Sequence, residues 1–236
     1  MQDVISAIVS ILIYFIVCAT SAILLRVLTK IEDEVFRKLL HMILLGSLFV
    51  WTEAFPTWQS AAASALIFAA LVYPILWFAE RFKGYSKLVT ERKSGELKSS
   101  LLVVFFMYAV VVAICWGWFD DRMLALASIY AWGFGDAAAA LVGKRFGKHK
   151  IGGKIIQGRK SFEGTTAMFI VSLISVFTIL TLRGGLMWYE TLVISVVVAA
   201  VSAVVELYTL NGIDTITCPV AAMVVLIVLL RLVGGI

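Results

Sequence analysis

Charge is scarce in this sequence. Asp, Glu, Lys and Arg make up 15% of its 236 residues while hydrophobic residues make up 62%, whereas about a quarter of a soluble domain's residues are charged. That balance excludes a soluble globular protein and implies an integral membrane one. Cysteine is limited to Cys18, Cys115 and Cys218, which lie apart within or beside apolar runs. Their spacing excludes a cysteine metal site and leaves them as small buried apolar residues. No low-complexity tract, internal repeat or linker rich in Pro, Gly or Ser separates folded units, so a single membrane domain over residues 1–236 is expected. No GxxxxGK[ST] follows a strand, which excludes a Walker A phosphate loop.

What is present is a series of apolar runs, each near the roughly 20 residues that cross a bilayer as a helix. They fall at 4–28, 36–51, 58–79, 99–119, 123–142, 164–182, 187–208 and 215–233. The fold class expected is all-α, a polytopic transmembrane bundle of about eight helices. The first run is too long for a secretory signal and lacks its basic start and cleavage site, so it is expected to remain as a helix.

The cations are unevenly placed. Of 20 Lys and Arg, four lie at 26–38 (Arg26, Lys30, Arg37, Lys38), six at 80–98 (Arg81, Lys83, Lys87, Arg92, Lys93, Lys98) and seven at 143–162 (Lys144, Arg145, Lys148, Lys150, Lys154, Arg159, Lys160). By the positive-inside rule these three connections face the cytoplasm and both termini lie outside. Trp51, Trp58, Trp116, Trp118 and Trp188 fall at the turns assigned to the outer face, as interfacial anchors do. The net charge of +5 is then almost wholly a property of the cytoplasmic face, and no nucleic-acid partner is expected.

Four clusters carry possible chemistry. Asp136 lies within an apolar run seven residues before Gly143, on the order of 10 Å into its helix. An intramembrane carboxylate is costly and is either a functional group or the structural partner of a cation. On its face, Ala140, Gly143 and Gly147 would admit a ligand or a second helix close to the backbone. The loop beyond combines Gly143, Gly147, Gly152, Gly153 and Gly158 with seven cations and ends in Lys160-Ser161-Phe162-Glu163-Gly164. Glycine allows backbone amides to approach phosphate and the cations supply countercharge, although anionic lipid headgroups would suit a basic loop too.

Arg37, Lys38 and His41 form the second cluster, with Arg37 and His41 on one helix face; snorkelling cations and a hydrogen-bonded histidine are the plain alternative. The third runs from Glu91 to Ser100, where Ser99 or Ser100 would cap the fourth helix. The fourth, Glu206 to Pro219, contains no Lys or Arg, and Asn211-Gly212 marks a turn before Asp214. Together with Asp136, Glu206 and Asp214 would make an oxygen site suited to Mg²⁺, the alternative being a salt bridge from Glu206 to the basic loops.

These residues carry a resemblance. Arg37-Lys38-x-x-His41, the Lys98-Ser99 region, Gly135-Asp136 with Gly143 to Gly147, Lys160 to Gly164, and Glu206, Asp214 and Pro219 resemble the polyprenol kinase family, which includes dolichol kinase, phytol kinase and a CTP-dependent diacylglycerol kinase. The likeness covers roughly residues 35–220, leaving 1–34 as an extra N-terminal helix. Asp214-Thr215 stands where the family often has Asp-Asn. The resemblance implies CTP-dependent transfer of a γ-phosphoryl group to the hydroxyl of a membrane isoprenoid alcohol or diacylglycerol.

It further implies Mg²⁺ on Asp136, Asp214 and Glu206, with Glu206 either a third ligand or an orienting group. Phosphate contacts would come from Arg37, Lys38, Lys98, Lys144, Arg145, Gly147, Lys148, Lys160, Ser161 and Gly164, and Asp136 or His41 would act as base. A lipid cytidylyltransferase resembling phosphatidate cytidylyltransferase shares CTP, Mg²⁺ and a Gly-Asp motif, but its longer C-terminal signature is missing. A transporter with an anion site is the non-enzymatic alternative, although such sites lie at the bilayer midplane rather than at the basic edge.

Overall fold

The computed structural model describes residues 2–82, 95–152, 160–209 and 213–236. Lys83, Lys87, Glu91, Arg92, Lys93 and Ser94 lie outside the described residues, as do Gly153, Lys154, Gly158, Arg159, Asn211 and Gly212. The described residues form eight helices: α1 (Gln2–Leu28), α2 (Asp33–Ala54), α3 (Trp58–Ala79), α4 (Glu96–Cys115), α5 (Arg122–Phe146), α6 (Phe162–Arg183), α7 (Trp188–Tyr208) and α8 (Asp214–Leu232). All eight are long and apolar enough to cross a membrane, as in a multi-pass membrane protein. The chain divides into two compact units, Met1–Val110 and Val111–Ile236.

In the first unit, α1 exposes Ile5, Ile13, Ile16, Val17 and Val27, the surface of a helix facing lipid rather than a core. Tyr14 on α1 donates to the Ile43 carbonyl at 2.7 Å, and a Cβ on Gly46 would lie 2.4 Å from the Tyr14 hydroxyl. Gly46 is therefore required for that crossing. Phe15, Trp51, Phe68 and Phe105 meet with ring centroids 4.9 to 6.1 Å apart. Trp51 is 1% exposed and donates to Ser64 Oγ at 2.8 Å, so it is a core residue and not the interfacial anchor expected. Trp118 and Trp188, at 82% and 72% exposed, keep the exposure that such a role needs.

In the second unit, α5 packs against α6 and α8, and α7 packs against α6 and α8. Helix α5 starts where the Asp121 side chain accepts from Leu124 N at 2.9 Å, and nearly every residue from Leu124 to Ala137 is buried. Small residues bring α5 and α6 into close contact, a common device where lipid supplies no hydrophobic drive. A Cβ on Gly135 would lie 2.5 Å from Ser172 Oγ, and one on Gly164 would lie 2.9 Å from the Ala139 carbonyl and 3.3 Å from Gly143 Cα. Ser172 Oγ donates to the Ala131 carbonyl across the same seam.

Because backbone blocks the added methyl, Gly164→Ala is expected to lower stability by about 1–3 kcal/mol. Gly152→Ala, where nothing lies within 4 Å of the added Cβ, serves as the unaffected control. Thermal unfolding of both variants in detergent checks this.

Candidate active site

The chemistry-bearing residues of the second unit collect where α5 ends, α6 begins, and α7 passes into α8. Helix α5 runs one turn beyond the expected end, to Phe146, leaving Lys144, Arg145, Lys148 and Lys150 exposed. The chain returns antiparallel through a bridge between Lys150 and Ser161. Ile151 N donates to Lys160 O at 3.0 Å, and Phe162 N donates to His149 O at 2.9 Å.

Ser161 is 2% exposed and caps α6 by accepting from Gly164 N at 3.2 Å. Its Oγ would lie 2.7 Å from a Cβ on Gly147 and 3.2 Å from one on Gly143. Of the expected phosphate contacts, Gly147, Ser161 and Gly164 thus occupy the packed seam between helices. Lys144, Arg145 and Lys148 present their side chains outward.

Lys160 also turns inward. Its ammonium lies 2.8 Å from Glu206 Oε1 and donates to the carbonyls of Glu206 and, at 3.3 Å, Thr209. It thereby satisfies carbonyls at the C-terminal end of α7, where a cation also meets the negative end of the helix dipole. The salt bridge weighed for Glu206 from sequence is present, with Lys160 as its partner.

Asp136 and Asp214 are close enough to act electrostatically on Glu206 and on the neighbouring Cys218 thiol. Asp214, in the first turn of α8, accepts from Trp132 Nε1 at 3.3 Å. Three carboxylates from α5, α7 and α8 therefore share one neighbourhood. Even so, among the described residues no three His, Cys, Asp or Glu side chains are grouped closely enough to hold a metal ion. A preassembled three-carboxylate site is absent there, and Glu206 is engaged by Lys160. The donor set still suits Mg²⁺, which normally takes only one or two carboxylates together with substrate phosphates and water.

Arg37, Lys38, His41 and Lys98 belong to the first unit. Arg37 pairs with Glu34 and, at 3.3 Å, with Glu96; Lys98 pairs with Glu80 at 2.5 Å. Lys38 is buried and His41 half-buried. Ser99 lies inside α4, which starts at Glu96, and its hydroxyl donates to Gly95 O at 2.8 Å instead of capping the helix.

In the sequence Glu163 stands out only as part of the Lys160-to-Gly164 motif. In the structure its carboxylate accepts from Lys148 N at 3.2 Å, from His149 N at 3.2 Å and bonds His149 Nδ1 at 2.7 Å. The available signal was its place in the first turn of a helix directly after a basic loop.

No family model matches the chain, and no solved structure matches it significantly. Among curated proteins, the chain is 30% identical over 212 residues to a phytol kinase of Synechocystis sp., covering 87% of this chain and 83% of that protein. It is 28% identical over 211 residues to a probable chloroplastic phytol kinase of Triticum aestivum, covering 83% and 67%. With that identity sustained over most of both chains, and with the Gly-Asp and Lys-Ser-Phe-Glu-Gly segments at one end of a helical membrane unit, the chain belongs to the polyprenol and phytol kinase family.

Proposed function

We propose that the protein is a lipid-alcohol kinase that transfers the γ-phosphoryl group of CTP to the hydroxyl of a membrane isoprenoid alcohol of the phytol or polyprenol type. The observation that carries this reading is that Asp136 and Asp214 lie close enough to act on the charge of Glu206, while Lys144 and Arg145 in the last turn of α5 and Lys148 just after it are exposed. Phosphoryl transfer is catalysed mainly by positioning and charge neutralisation, so carboxylates beside clustered cations are the parts it needs. The relatives named as phytol kinases support the alcohol acceptor. CTP as donor and Mg²⁺ as cofactor follow from the family resemblance.

In this reading Lys144, Arg145 and Lys148 hold the triphosphate. Asp136 and Asp214 would hold Mg²⁺, which would supply charge neutralisation for the phosphates. The acceptor oxygen forms a bond to the γ-phosphorus as the bond to the bridging β,γ oxygen breaks. CDP departs, and the hydroxyl proton passes to the Asp136 carboxylate. Lys160 and Glu206 hold the end of α7 against the base of the basic loop. The basic connections face the cytoplasm, where the nucleotide is, and the alcohol arrives through the bilayer.

The test is a panel of phytol, geranylgeraniol, a long polyprenol and diacylglycerol, each offered with labelled CTP or ATP in detergent. The expected result is γ-label from CTP in an isoprenoid phosphate. Label transferred only from α-labelled CTP identifies a cytidylyltransferase and overturns the proposal.

A further inference from the structure

We propose that Glu163 is a positioning residue for this reaction, fixing the backbone that carries the basic phosphate-binding segment. The inference rests on the reading of Lys144, Arg145 and Lys148 as triphosphate ligands. A glutamate in a first helical turn commonly does no more than complement the helix dipole. Glu163 does something different, because its three partners all belong to the segment arriving from α5. It takes the amides of Lys148 and His149, and His149 Nδ1. An ionised carboxylate only accepts, so His149 presents a protonated Nδ1 to it.

Those amides follow directly after α5, whose last cap bond is Gly147 N to Gly143 O at 3.2 Å. Without Glu163 the backbone turning out of α5 loses its charged acceptor, and the bonds between Ile151 and Lys160 and between His149 and Phe162 are left to define the turn. The Lys148 side chain stays exposed, so the carboxylate holds the residue by its amide while its ammonium faces outward. Glu163 acts through Lys148 and its neighbours and touches no reacting atom.

The measurement is steady-state kinetics of Glu163→Ala, Glu163→Gln and Lys148→Ala, with amide hydrogen exchange at 148 and 149. Loss of bonds to a charged acceptor is expected to raise the nucleotide KM of Glu163→Ala by roughly 10–100-fold. The lipid-alcohol KM should stay unchanged, and both amides should exchange faster. Glu163→Gln, which keeps one acceptor oxygen, should fall between Glu163→Ala and the wild type. If Glu163→Ala does not fold, Glu163→Gln decides on the same readouts.

An unchanged nucleotide KM in Lys148→Ala overturns the phosphate reading itself. A raised KM there with an unchanged KM in the folded Glu163 variants overturns the positioning role alone. Equal losses through kcat, with both KM values unmoved, also overturn it.

Discussion

Asp136→Asn is expected to reduce phosphoryl transfer by on the order of 10³-fold or more while leaving the protein folded in detergent. The side chain sits on α5 between buried Gly135 and Ala137, inside a helix apolar enough to cross the bilayer. A carboxylate there is expensive, and the charges of Glu206 and Asp214 nearby raise its cost further. Asparagine keeps the volume while removing one negative charge. Relief of repulsion should leave stability equal or higher. An activity loss without a stability loss separates a working carboxylate from a structural one. Rates like the wild type would remove Asp136 from the mechanism.

Lys160→Ala is expected to be the most destabilising change at this end of the unit. The side chains of Lys160 and Glu206 are only 15% and 12% exposed, and removing one partner of a buried pair leaves an uncompensated charge that costs about 3–5 kcal/mol. The same ammonium also serves two carbonyls at the end of α7. Thermal unfolding of Lys160→Ala should therefore shift strongly downward, and Lys160→Ala with Glu206→Gln should recover part of the loss because the orphaned charge is gone. The double-mutant cycle reads the coupling directly. A Lys160→Ala protein within about 1 kcal/mol of wild type, as for an exposed pair, yet inactive, would instead assign Lys160 to the phosphates.

The transmembrane helices were legible because each must bury or present about 20 apolar residues to lipid. Their ends were less so. Helix α5 passes Val142 to reach Phe146 because Gly143 and Gly147 pack against Ser161, a tertiary contact that leaves no trace in hydropathy. The lack of cations between Glu206 and Pro219 marks an acidic connection on a basic face, but not which residue of the basic loop pairs with Glu206, which the fold makes Lys160.

Other residues could not be sorted from sequence. Lys144 and Lys160 are equal as letters in one basic loop, and only the fold leaves Lys144 exposed and turns Lys160 onto Glu206. Gly147, Ser161 and Gly164 carry the composition of a phosphate loop, but that composition also serves close helix crossings. Trp51 sits at a helix end where an interfacial role and an aromatic core read alike, and the rings of Phe15, Phe68 and Phe105 decide between them.

If phosphoryl transfer occurs toward the C-terminal end of α5, a carboxylate at its other end is dispensable. Asp120, exposed just before the N-terminus of α5 and with φ of 53°, offers the comparison, because asparagine tolerates that left-handed conformation. The decisive measurement is γ-label transfer from CTP to phytol by Asp136→Asn and Asp120→Asn, at matched amounts of folded protein. The expected result is a rate in Asp120→Asn within about twofold of wild type, as for a surface change, and none detectable in Asp136→Asn. Equal rates in the two variants would contradict the site.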